Sequence, residues 1–242
     1  MLPTPIEAKR VTIAGRFGDR RFYPFAGLPI TQSERVAALH SPLVCSIEIF
    51  ALGPAGTNIA QATESWIYQV GVADKAKMKL VETPEAAVAE ALALRADGVL
   101  AVFVTCAVYT GENAIFFKNP ETLPFFFQFE SPLDQMQIAT RMDVLSGISR
   151  LDKAVVTIAS HPSPVPLIIN TNFLVRFARS NADAARICAA AETDFCITTD
   201  TARSLHGLST VLNFGSPTML FLGGITRDGA ELLREACSEG DE

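Results

Sequence analysis

LVCSIEIFALGPAGTNIAQATESWIYQV, residues 43–70, is the stretch whose reading decides the fold. Val44 to Leu52 is rich in apolar and β-branched residues and reads as a strand. Gly53 to Gly56 is a turn, Thr57 or Asn58 is a helix cap, and Ile59 to Val70 repeats apolar residues at helical spacing. The next stretch, KMKLVETPEAAVAEALALRADGVLAVFV (77–104), continues the alternation. Lys79 to Val81 is a short strand, and Thr83-Pro84-Glu85 opens a helix reaching Leu94 or Arg95 with proline in its first position. Gly98 to Val104 is an apolar, buried strand. Strand, helix, strand, helix, strand is the order of a parallel α/β layer.

The glycine turn before Ile59 is also the first candidate site. Backbone N–H groups and the helix dipole converge at such a helix start, which suits an anion. It is neither a Walker loop nor a dinucleotide fingerprint, because no Lys-Ser/Thr pair and no GxGxxG are present. A second candidate lies at VVTIASHPSPVP, residues 155–166. A β-branched strand there runs into Ser160-His161-Pro162-Ser163-Pro164, a polar turn stiffened by proline. In open α/β sheets ligands bind past the carboxyl ends of strands, which makes the Ser-His pair a site candidate. The plainer reading is a connection in which Ser163 caps a helix beginning at Pro164.

Between these sites the pattern loosens. Residues 105–141 hold six phenylalanines and two or three strands, whose rings either fill a core or line an apolar pocket. Further on, Ser180-Asn181-Ala182-Asp183 resembles a capping box for a helix through Ala190. Phe195 to Thr198 is a strand, Thr199 to Leu205 a short helix closed at Gly207, and Thr210–Leu212 and Met219–Leu222 are short strands. The acidic end after Glu231 finishes a helix and frays. Residues 1–44 read as an N-terminal extension: RVTIAG and RRFYPFAG as short strands turning at Gly18-Asp19, then a helix in SERVAALH capped by Ser33. A lid, an edge addition and a homodimer contact are all open for it.

Composition narrows the classes. The chain has 242 residues, 49% of them hydrophobic and 19% charged, which suits a well-buried globular protein. A net charge of −6 leaves no nucleic-acid or anionic-membrane footprint. Nothing approaches a membrane span, and no basic-then-apolar leader follows Met1, so a cytoplasmic location is expected. Cys45, Cys106, Cys188, Cys196 and Cys237 are scattered and odd in number, which argues against a disulfide framework or zinc site. With only His40, His161 and His206, a multi-histidine metal site is not expected either.

Four segments then carry a resemblance. ALGPAGTN (51–58), ASHPSP (159–164), SNADAA (180–185) and ITTDTARSLHGL (197–208) occur in the order of the motifs of the prephenate dehydratase domain. The resemblance covers about residues 44–225. Ser-His-Pro-Ser-Pro, in place of Ser-His-Pro-Gln-Ala, is more similar to the non-aromatising prephenate decarboxylases of the bacilysin-pathway type. It implies a two-lobed, periplasmic-binding-protein-like (type II) α/β fold. Residues 45–107 plus 208–230 would form one lobe and 108–207 the other, followed by a tail from 231. It also implies a cleft where three helix N-termini face a substrate with two carboxylates.

On that template Gly56, Thr57, Asn58, Ser160, Pro162, Ser163 and Asn181 would hold substrate, with Cys106 nearby. His161 would orient the substrate or relay a proton, or else bond backbone to fix its turn. No cofactor is implied. The dehydratases' late Thr-Arg-Phe motif is reduced here to Thr218-Met219-Leu220, without its arginine. Loss of the ring hydroxyl is thereby disfavoured while loss of carbon dioxide remains. The Val-Pro-x-x-Asn-Ser segment has become VTCAVYTGENA, echoed only by Glu112-Asn113, and no C-terminal regulatory domain is expected. The reaction implied is cofactor-free decarboxylation of prephenate in secondary metabolism, with retention of the 4-hydroxyl. The rivals are a true dehydratase giving phenylpyruvate and a non-catalytic binding module.

Overall fold

The computed structural model describes residues 27–147, 155–169 and 171–238. It divides into two compact units. One runs to Glu130 and resumes at Leu220; the other is Ser131–Met219. The boundaries differ from the expected 107/108 and 207/208, because the long strand β4 (Thr122–Pro132) and the strand β10 (Thr218–Thr226) belong mostly to the first unit. The two proposed N-terminal strands and the extreme C-terminus lie outside the described residues.

In the first unit, β1 (Ser46–Leu52), β2 (Ala76–Val81) and β3 (Val99–Cys106) join β10 and β4 in a sheet of order β2-β1-β3-β10-β4. The β1–β2 and β1–β3 pairs are parallel, as the alternation predicts, but β10 runs antiparallel to β3, so the sheet is mixed. β3 is buried along almost its whole length, which explains its unbroken apolar run.

Helices α2 (Asn58–Gln69) and α3 (Pro84–Ala93) both pack on β1 and β3. Thr57 and Thr83 cap them, and Pro84 stands in the first turn of α3. The alanine-rich face of α3 buries Ala87, Val88 and Ala91 against Phe50, Ala101 and Phe103. Small side chains there let the helix approach the sheet closely, so their spacing is packing. A last helix, α8 (Arg227–Ser238), buries Gly229, Ala230, Leu233 and Ala236, with contacts on β3.

The loosely patterned stretch holds a helix that the expectation of strands overlooked: α4, Glu112–Lys118. Its seven residues follow Gly111 and bury only Ile115, too short a run for apolar periodicity to register. Phe126, Phe127 and Phe129 fill the core. Trp66 of α2 lies 5.2 Å from the Phe127 ring and 5.4 Å from Phe129, and Phe129 stacks 5.7 Å from Phe221. Three of the six phenylalanines are therefore core, while Phe117 and Phe125 are exposed.

The first helix, α1 (Gln32–Ala38), is capped by Thr31 and not by Ser33. Thr31 and Glu34 form a reciprocal capping box, with Thr31 N–H donating to Glu34 Oε2 at 2.8 Å. Arg35 ties this helix to β4, donating to the Phe126 carbonyl and lying 4.8 Å from its ring centre.

The second unit is a mixed five-stranded sheet of order β7-β6-β8-β5-β9. It contains β5 (Met136–Thr140), β6 (Val156–Ser160), β7 (Phe173–Phe177), β8 (Phe195–Thr199) and β9 (Ser209–Gly215). β6 runs parallel to β7 and β8, while β5 is antiparallel to β8 and β9. A short helix α5 (Met142–Ser146) follows β5. Helix α6 (Asn181–Ala189) packs on β8 and β6 through Ala184, Ala185, Ile187 and Cys188, and α7 (Asp200–Leu205) follows β8 directly. Cys188 and Cys196 are buried free thiols in this core.

One expected helix does not form. After Pro164 the chain makes only a 3-10 turn, Val165–Ile168, and Ser163 makes no capping bond. Pro166 disfavours the helical conformation at Val165, and the turn ends after four residues. Among the described residues no helix is long and apolar enough to cross a membrane.

Candidate functional site

Each unit gathers candidate residues at one end of its parallel strands, where backbone N–H groups of following turns and helices point outward. In the first unit β1 ends at Leu52, and the turn Gly53–Gly56 is tied to β2 by Gly53 N–H donating to the Val81 carbonyl at 2.8 Å. Gly56 adopts φ +86°, a left-handed conformation that favours glycine, in open space. Thr57 is fully engaged as a cap. Its hydroxyl gives its hydrogen to the Leu52 carbonyl at 2.8 Å and accepts Ala60 N–H at 3.3 Å. Thr57 therefore shapes the helix start, and contact with an anion falls to backbone N–H groups of the first turn, beginning at Asn58.

At the end of β3 the structure assembles a group that sequence reading passed over, apart from naming Cys106 and noting Glu112. Thr105, fully buried, donates to Glu112 Oε2 at 2.7 Å. Glu112 Oε1 is also buried and has no hydrogen-bond partner. Tyr109 hydroxyl donates to both oxygens of Glu85, at 2.9 and 3.0 Å, linking the loop after β3 to the start of α3. Burial raises the Glu112 carboxyl above its ordinary value; the Thr105 bond opposes this and the Glu85 charge adds to it. Burial and the Glu85 carboxylate push Tyr109 up to about 12. Cys106, half-buried beside them, is raised by burial and is thus no ready thiolate. The available signal was a threonine closing an all-apolar strand, where an alternative of valine would have packed as well.

In the second unit β6 ends at Ser160. That residue is fully buried, and its hydroxyl donates to the His161 carbonyl at 2.7 Å, so it supports the turn from within. His161 Nδ1 accepts Ser163 N–H at 3.3 Å, which leaves the ring hydrogen on Nε2. Burial lowers the imidazole's pKa, favouring the neutral ring. Pro162 and Ser163 are exposed at the tip. The turn-fixing reading of His161 is thus seen directly, and a ligand would meet a neutral N–H donor.

Asn181 begins α6 but Ser180 is its cap, accepting Asp183 N–H at 3.0 Å. The Asn181 amide instead reaches Met136 Sδ at 3.9 Å, with its Oδ1 buried and unbonded. Met136 pairs with both Thr199 and Gly215, so the ends of β8 and β9 lie at the same edge as Asn181. Thr218 stands just beyond Gly215, exposed at the start of β10. The second unit therefore brings His161, Ser163 and Asn181 to one end of its sheet, while Gly56, Thr57 and Asn58 follow the end of β1 and Cys106 ends the neighbouring β3 in the first.

No protein-family model and no curated protein matches the chain. Solved structures are similar to it only at low identity and modest overlap. A prephenate dehydratase from Staphylococcus aureus subsp. aureus Mu50 is 11% identical with a TM-score of 0.46, over 73% of this chain and 65% of its own. The chain thus spans about two thirds of that enzyme's length. The periplasmic VFT2 domain of Bordetella pertussis BvgS is 16% identical with a TM-score of 0.49, over 87% and 93%. A TctC solute binding protein from Polaromonas is 13% identical with a TM-score of 0.44, over 80% and 83%. At these values none of them carries an activity or ligand to this chain.

Proposed function

We propose that this chain is a cofactor-free decarboxylase of prephenate, built on a two-lobed type II arrangement and acting in secondary metabolism. The observation that supports it is placement. The four segments that resemble the prephenate dehydratase domain all fall at carboxyl ends of parallel strands: after β1, after β6, after β7, and across the junction of β8 with α7. Such ends present N–H groups to anions, and prephenate carries two carboxylates.

In this reading backbone N–H groups at strand-end turns and helix starts hold the carboxylates, and within the second unit the neutral His161 ring offers a hydrogen bond through Nε2. The bond from ring to carboxylate breaks, its electron pair enters the diene, and a proton adds at a distal ring carbon. The 4-hydroxyl is retained in this reading, because Met219 stands where the dehydratase pattern has arginine. The product is a dihydro-4-hydroxyphenylpyruvate.

Incubation of the purified protein with prephenate, followed by ultraviolet spectra and mass, tests this. A product lighter by carbon dioxide alone is expected. Phenylpyruvate above the spontaneous background would make it a dehydratase, and ligand binding without turnover would make it a binding module.

A further inference from the structure

Decarboxylation of this kind needs a proton donor, and the residues singled out by motif do not supply one. Thr57 and Ser160 give their hydroxyl hydrogens to backbone carbonyls, and the His161 ring is neutral with its basicity lowered by burial. Cys106 is half-buried and its thiol is held protonated well above neutrality.

Glu112 is placed differently. Parallel pairing of Phe50 with Phe103 carries β1 and β3 side by side toward their ends, at Leu52 and Cys106. Thr57 is tied to the end of β1 through Leu52, and Glu112 to the end of β3 through Thr105. The carboxyl group and the anion-accepting turn therefore share one end of one sheet. Thr105 fixes Oε2, while Oε1 is buried with no hydrogen-bond partner among the described residues, which an ionised carboxylate tolerates poorly. The residue as a whole is half-buried, not enclosed.

We propose that Glu112, positioned by Thr105, is the proton donor of the reaction. The inference rests on the decarboxylase reading and deepens it. As the bond between ring carbon and carboxylate breaks, its electron pair moves into the diene, and the far diene carbon takes the proton from Glu112. Carbon dioxide leaves, and the resulting Glu112 carboxylate recovers a proton from water. Thr105 is a positioning residue.

The test is carbon dioxide release from prephenate by the wild type, Glu112→Gln and Thr105→Val, with binding followed by calorimetry. Glutamine keeps the shape and a hydrogen-bond donor but has no proton to transfer. Its kcat is expected to fall about 100-fold or more, the scale of general acid catalysis, with prephenate affinity nearly unchanged. The charged and titratable groups facing Glu112 are Glu85 from α3 and Cys106 and Tyr109 from the loop after β3. Thr105→Val removes the bond that favours the ionised acid, so the fall of kcat at alkaline pH is expected to move to higher pH, a shift that a purely structural role would not cause. An active wild type with Glu112→Gln within about threefold of it would overturn the donor role alone. A wild type that leaves prephenate unchanged would overturn the decarboxylase reading and the donor role with it.

Discussion

Phe103 of β3 lies over Gly224 of β10, its direct partner in the antiparallel register. A Cβ at 224 would stand 2.1 Å from the ring's Cζ, so the ring occupies the space that any side chain there would need. The two residues form one packing unit at the centre of the first sheet, with Phe103 buried among Phe50, Ala87, Val88 and Ile115.

Gly224→Ala is accordingly expected to destabilise the protein by about 1–3 kcal/mol, as overpacked core positions do. Urea unfolding measures it. A companion Phe103→Leu change should recover part of the loss, because it withdraws the ring. Costs that simply add in the double variant would show that the two residues do not share the space.

The loop after β3 offers a second probe. A Cβ on Gly111 would meet the Tyr109 ring at 2.5 Å, so Gly111→Ala must displace Tyr109 from Glu85. The tyrosine whose titration stands at about 12 should then ionise closer to its ordinary value near 10. Spectrophotometric titration of the wild type and variant separates the outcomes. An unmoved alkaline tyrosine would mean that the loop gives way elsewhere.

His161 provides a pH signature. The folded chain holds its imidazole proton less tightly than the unfolded chain does, because burial disfavours the charged ring. More protons bind to the unfolded state in that window, so stability rises with pH from the folded value up to the ordinary one near 6.5, and is level above it. His161→Gln, which keeps an acceptor for Ser163, should flatten this slope between about pH 5 and 7. Parallel stability curves for the two proteins would show that burial has no hold on the ring.

Arg35 joins α1 to the first unit by donating to the carbonyls of Pro29 and Phe126 from one planar group above the Phe126 ring. A lysine cannot serve both carbonyls and the ring from a single ammonium. Arg35→Lys is expected to cost about 1–2 kcal/mol, within the range for hydrogen bonds to charged groups. Chemical denaturation gives the value, and no change would mean that α1 is held by the Thr31–Glu34 box and the Gln32 bond to the Gln128 carbonyl without Arg35.

Much of the architecture is legible in residue order. The β-branched runs, the caps at Thr57 and Thr83 and the proline at 84 are local signals, and they fall where the helices and parallel strands form. α4 was not legible, because seven residues with one buried side chain carry no period. The helix expected after Pro164 stops at a four-residue 3-10 turn, so the cap signal at Ser163 did not predict its length. The aromatic run 116–129 left core and pocket open until Trp66 and Phe221 were seen against it.

The sequence by itself determined the α/β alternation, the turns that end β1 and β6, and the helix starts at Thr57 and Ser180, since each depends on neighbours within a few residues. Tertiary structure alone decided that β10 returns antiparallel beside β3, that the Thr57 and Ser160 hydroxyls are turned onto carbonyls, and that Thr105 meets Glu112 with one carboxyl oxygen shut from water. Those features arise from strand pairing between distant segments and from burial, which no local pattern encodes, and burial is what sets the protonation of Glu112, Tyr109 and His161.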